Sequence, residues 1–138
     1  MTIGIKTGSI LNIVGTPDFL FSFFSSIACL LEDGRPGSKF PIISSDLYAG
    51  KIAANKVHLA ISEVTKIKEL LENFPPSAVV WDMEDLTKRP PWGDKINKSI
   101  TSMANYFVTS TGRDFIGMLL ESLDYAKKKN IDVTVESA

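Results

Sequence analysis

Four carboxylates and two tryptophans crowd into one short stretch of the chain. Asp82, Glu84 and Asp85 fall within Val79–Gly93, VVWDMEDLTKRPPWG, beside Trp81 and Trp92, and Asp94 follows at once. Carboxylates at a strand end can hold Mg²⁺ or Ca²⁺, which favour oxygen ligands. A pair of them could also share acid and base roles in hydrolysis. If a strand ran on past Trp81, Asp82 and Glu84 would share one face. The EF-hand loop is not matched, because Thr87 stands where its glycine is required. Lys88 and Arg89 lie close enough to neutralise the cluster, and Asp85 can cap a turn. The turn Pro90-Pro91-Trp92-Gly93 is more specific. Two prolines restrict its backbone, so Trp92 is held with little entropy left to lose. A pre-ordered tryptophan beside carboxylates suits a protein interface. The alternative is a loop plug folded back on the core, and both readings stand at this point.

No other constellation offers chemistry. There is no Gly-x-Ser-x-Gly elbow, no P-loop and no Gly-x-Gly-x-x-Gly. His58, the one histidine, falls on the polar face of a helix, and Cys29, the one cysteine, falls in an apolar helix as a small hydrophobe. A zinc site needs more Cys and His than these two. A non-enzymatic protein is expected, with no catalytic residues, cofactor or metal. The charge balance, 15 basic against 16 acidic residues, lacks the basic footprint of a nucleic-acid binder. The longest apolar run, Phe19 to Leu31, is too short for a bilayer and carries three serines, so no membrane association is expected. A single unpaired cysteine and the absence of a signal-peptide pattern fit a cytoplasmic protein.

The elements that must position the acidic stretch read as an α+β domain spanning 1–138. Thr2 to Val14 alternates as one bulged strand or as two strands turning at Thr7-Gly8-Ser9. Thr16 caps a helix with Pro17 at its first position and Asp18 in its first turn. Leu20, Phe23, Phe24, Ile27, Leu30 and Leu31 give that helix a broad apolar stripe, wide enough for burial on more than one side. It ends at Asp33-Gly34. A loop over 34–41 leads to a short helical turn from Ser44 that stops at Gly50. Ala53 to Phe74 forms an amphipathic helix whose other face, including Asn55, His58, Glu63, Lys66 and Glu69, is expected to be solvated. Ala78 to Trp81 reads as a buried strand, and Tyr106 to Val108 as another. Thr111 is expected to cap a helix running to Lys129, with Asp114 at its third position and Asn130 ending it. Ile131 to Val135 alternates as a last strand. A mixed sheet of three to five strands, with three main helices packed on it, is the expected architecture. Strand order does not follow from the pattern.

Several blocks resemble the immunity protein 70 family. They are Val79-Val80-Trp81-Asp82-Met83-Glu84-Asp85, then Pro90-Pro91-Trp92-Gly93-Asp94, then Asn105-Tyr106-Phe107-Val108-Thr109-Ser110-Thr111-Gly112. Thr16-Pro17-Asp18-Phe19-Leu20, Lys39-Phe40-Pro41 and Leu47-Tyr48-Ala49-Gly50-Lys51 are similar too, so the resemblance covers essentially the whole chain. It departs from the family block at Thr111, where an acidic residue precedes the glycine. The resemblance implies a cytoplasmic antitoxin accompanying bacterial polymorphic toxins of the LXG type. Such a protein binds a cognate toxin domain, often a nuclease, and blocks it without catalysis. A nuclease active site should be basic. Asp82, Glu84, Asp85 and Asp94 could then mimic phosphates, with Trp92 as anchor, and the polar face of the Ala53–Phe74 helix is the alternative surface.

Overall fold

The N-terminal alternation resolves into two strands. The computed structural model describes residues 1–138. β1 (Ile3–Thr7) and β2 (Ile10–Gly15) form a hairpin that turns at Gly8, whose φ of +63° is open to glycine. β1 also pairs with β4 (Val133–Ser137), and β4 with the two-residue β3 (Lys51–Ile52). The sheet order is β2-β1-β4-β3, and every pairing is antiparallel. The α+β class therefore holds, with an antiparallel sheet in place of the mixed one. Ile3, Ile5 and Thr7 of β1 are buried, whereas Lys6 is exposed, as a sheet covered on one face requires.

α1 (Pro17–Leu31) begins as its sequence implies: Thr16 Oγ1 accepts from Phe19 N–H at 3.2 Å. Asp33 and Gly34 leave it in left-handed conformations, and Gly34 N–H donates to Ala28 C=O at 2.8 Å. α2 (Val57–Leu71) follows a 3₁₀ turn, Ala54–Lys56, and packs mainly on α3 (Phe115–Lys129). α3 in turn lies on β1, with further contacts to β2 and β4. α1 and α3 cover the sheet, and α2 packs behind them on α3 in place of the expected direct contact with the sheet. Thirty buried side chains form one apolar cluster, with Phe23, Phe107 and Phe115 among its largest fully buried members. Phe23 meets Phe115 edge-on at 4.9 Å and Phe107 at 5.4 Å. No helix is long and apolar enough to cross a membrane.

Three sequence expectations are overturned here. Asp114, not Thr111, caps α3, its carboxylate accepting from Gly117 N–H at 3.0 Å. Thr111 instead meets Thr109, hydroxyl to hydroxyl, at 3.0 Å. The expected strand at Tyr106–Val108 folds back on its own neighbours. Phe107 C=O accepts from Phe115 N–H at 2.8 Å, leaving only an isolated Val108–Asp114 bridge. The third concerns Glu63, which does not belong to the solvated face of α2. Its oxygens accept from Ile42 N–H at 3.1 Å and Ile43 N–H at 2.9 Å, at the start of a π-helical segment, Ile42–Leu47. Glu32, fully buried after α1, takes the preceding donors: Lys39 N–H and Phe40 N–H, both at 3.0 Å, and Ser44 Oγ–H at 2.7 Å. Two carboxylates thus cap one helical start, because Pro41 has no N–H and neither acid alone reaches all the donors.

Glu32→Ala should leave three donors unpaired and cost about 3 kcal/mol, read as a lower urea midpoint. Glu63 behaves differently with pH. Burial raises its pKa above 4.5 against the pull of the two backbone N–H bonds, and the charges of Glu32 and Asp46 add to the rise. The folded state therefore holds more protons than the unfolded chain just above that value, so this contribution is lost as pH rises. Wild-type stability should fall relative to Glu63→Gln as pH climbs from 4.5, checked by paired thermal melts.

Candidate functional site

Residues 78–81 form no strand. After a 3₁₀ turn, Pro76–Ala78, the chain lies along α1 and satisfies its backbone on serines. Ser22 Oγ–H donates to Val80 C=O at 2.8 Å. Ser26 Oγ–H donates to the same carbonyl at 3.2 Å and accepts from Val80 N–H at 3.1 Å. Ser25 Oγ accepts from Met83 N–H at 3.0 Å. All three serines are fully buried. These are the serines that interrupt the apolar run of α1. Read together with the short apolar run Ala78–Trp81, they were the available signal for a backbone docked on a helix. An apolar run needs β-partners only if nothing else supplies its hydrogen bonds.

This docking delivers Trp81 beside Trp92, ring centroids 5.4 Å apart and nearly perpendicular. Trp92 Nε1–H donates to Tyr106 Oη at 2.9 Å. Trp92 remains 38% exposed. It lies partly back on the protein while showing an edge to solvent. Two hollows border it. One, of about 320 Å³, reaches Val14, Thr16 and Ser110, and the other, of about 240 Å³, reaches Ile96 and Ile100. Phe19 and the exposed Val108 border both. A cleft of about 560 Å³ opens nearby, between Pro76, Val79, Pro90 and Tyr106.

The carboxylates do not act as a group. Asp82 Oδ1 accepts from Glu84 N–H at 2.8 Å and Oδ2 pairs with Lys88 at 3.4 Å. Asp85 Oδ1 accepts from Thr87 N–H at 3.1 Å and Thr87 Oγ1–H at 2.6 Å. Those two bonds, more than the nearby Lys88 charge, hold the Asp85 carboxyl below its usual 3.8. Glu84 and Asp94 are exposed and form no ion pair. No three Asp, Glu, His or Cys side chains come together as a metal would need. The strand extension that would align Asp82 with Glu84 is replaced by successive turns, Asp85 N–H on Asp82 C=O and Lys88 N–H on Asp85 C=O. His58 is exposed, as its helical position implies. Cys29 is half-buried, and its desolvated thiol has a raised pKa.

These features define an α+β domain that presents a pinned aromatic side chain on an irregular, charged surface loop. The chain belongs to the immunity protein 70 family, whose model matches residues 5–135. Membership implies an immunity protein, and with it a cognate toxin as partner. No curated protein and no solved structure matches the chain.

Ser26→Ala removes the only side-chain partner of Val80 N–H and one of two at its carbonyl. It should cost about 1–3 kcal/mol of stability and shift tryptophan emission, because Trp81 and Trp92 lose their fixed approach. At Asp85 the lowered pKa places stability above the usual carboxylate value and removes it as pH falls. The Thr87 amide resonance should therefore titrate with a midpoint below 3.8.

Proposed function

We propose that the chain neutralises its cognate toxin domain in the cytoplasm by binding it without catalysis, with Trp92 as the anchor of the contact. The observation that carries this reading is the pose of Trp92. Tyr106 bonds its indole N–H, Trp81 meets its ring, and it lines two hollows that the exposed Val108 also borders. A large aromatic side chain that is already ordered loses little entropy on association, and tryptophans of this kind dominate interface energetics. The five interface residues expected from sequence divide by role. Trp92, Glu84 and Asp94 make the contact, whereas Asp82 and Asp85 shape the loop that presents them.

The toxin is proposed to be a nuclease of the LXG-type systems, whose basic active site the exposed Glu84 and Asp94 would meet. The segment 82–98 sets Asp82, Glu84, Asp85 and Asp94 against Lys88, Arg89, Lys95 and Lys98. Such a balance generates little long-range field, so the acidic contacts act at short range as specific pairs and not by steering.

Co-expression with the toxin encoded beside this chain tests the reading. Protection should be complete with wild type, and death of cells that hold abundant folded protein would sink the proposal. In calorimetry with the purified toxin domain, Trp92→Ala should weaken binding roughly 30-fold or more, the size expected of an interface hot spot. Glu84→Lys should weaken it roughly tenfold at an unchanged melting temperature, because its carboxylate holds nothing within the chain.

A further inference from the structure

Beside Trp92, the cleft between Pro76, Val79, Pro90 and Ile96 gathers polar groups that the chain leaves unengaged. Arg89 lines it, and its guanidinium makes no ion pair and no hydrogen bond within the protein. Asp94 lines it too, and its carboxylate is equally free. The two share the cleft without pairing with each other. Tyr106 is the third group. It is only 4% exposed, and its oxygen accepts from Trp92 Nε1–H, yet its own O–H meets no acceptor in the chain. Burial and the charge of Asp94 push its pKa up against the bond from Trp92, so the hydroxyl keeps its proton at neutral pH. Tyr106 lines the cleft, so its O–H is free to donate to an occupant there. Asp82 is matched by Lys88 and Asp85 by Thr87, and of the loop charges left unmatched, Arg89 and Asp94 line this cleft together with Tyr106.

The charges restrict what can complete it. A lone anion attracted to Arg89 would be opposed by Asp94, and a lone cation attracted to Asp94 by Arg89. An occupant carrying both signs at a fixed separation satisfies both. We propose that the cleft receives a segment of the toxin domain that sets a carboxylate against Arg89, a cationic side chain against Asp94 and a backbone carbonyl on the Tyr106 O–H. This rests on the immunity reading above and makes it more specific. A volume of about 560 Å³ is of binding-pocket size. The bond from Trp92 to Tyr106 makes the cleft continuous with the proposed anchor, so one toxin segment engages both. The partner is thereby expected to present an acidic residue beside the basic ones that meet Glu84 and Asp94.

The test is calorimetry of the purified toxin domain against wild type, Arg89→Ala, Asp94→Asn and Tyr106→Phe, with melting curves of each variant alone. Arg89→Ala and Asp94→Asn should each weaken binding roughly tenfold or more at unchanged melting temperature, since neither side chain has a partner inside the chain. Tyr106→Phe should weaken binding as well. It also leaves Trp92 Nε1–H unpaired, so its result is judged against its own melting curve. If wild type binds and protects while Arg89→Ala and Asp94→Asn retain wild-type affinity, the cleft assignment is overturned and the immunity reading stands. If wild type itself does not bind the toxin domain, both fall.

Discussion

The hydrogen bonds between Ser22, Ser26 and the backbone of Val80 anchor the loop that carries Trp81 and Trp92. They dock an extended segment on a helix, where no neighbouring strand exists to pair with it. From that point the positions are handed on by aromatic contact. Trp81 meets Trp92, Trp92 bonds to Tyr106, and Tyr106 stacks edge-on with Phe107 at 5.2 Å. Phe107 in turn meets Phe19 and Phe23 of the same helix that carries the serines. The exposed edge of Trp92 is thus the surface end of a closed circuit that begins and ends on α1. A loop of turns with little regular structure is in this way tied at both ends to one helix.

Carboxylates follow a common pattern throughout the protein. Glu32, Glu63, Asp82, Asp85, Asp114 and Asp132 each accept backbone N–H groups that regular structure leaves unpaired. Charge-assisted bonds of this kind are stronger than neutral ones and make burial of an acid tolerable. The same use explains why the acidic appearance of the 82–94 stretch overstates its acidic surface. Half of its carboxylates close turns and are matched locally, which leaves Glu84 and Asp94 to face solvent. A metal site would need those oxygens to converge, whereas turn closure points each back at its own main chain.

Much of this was legible in the residues. Helical periodicity located all three helices, because the partners in that pattern lie within one or two turns. Thr16-Pro17 at the start of α1 and Asn130 at the end of α3, whose φ is +56°, were local signals of the same kind. Gly8 marked a break that left a bulge and a hairpin both open, and the blocks around Trp81, Trp92 and Tyr106 marked the family that the chain belongs to. What depended on tertiary structure was the identity of distant hydrogen-bond partners. Val80 is served by residues 54 and 58 positions away, and Glu63 serves donors 20 and 21 positions away. An apolar run such as Ala78–Trp81 looks the same in sequence whether strands or serines complete it. A glutamate on a polar helix face likewise looks solvated until another segment folds over it. Periodicity reports which face of an element is buried, and only the assembled fold decides which backbone group lies opposite each side chain.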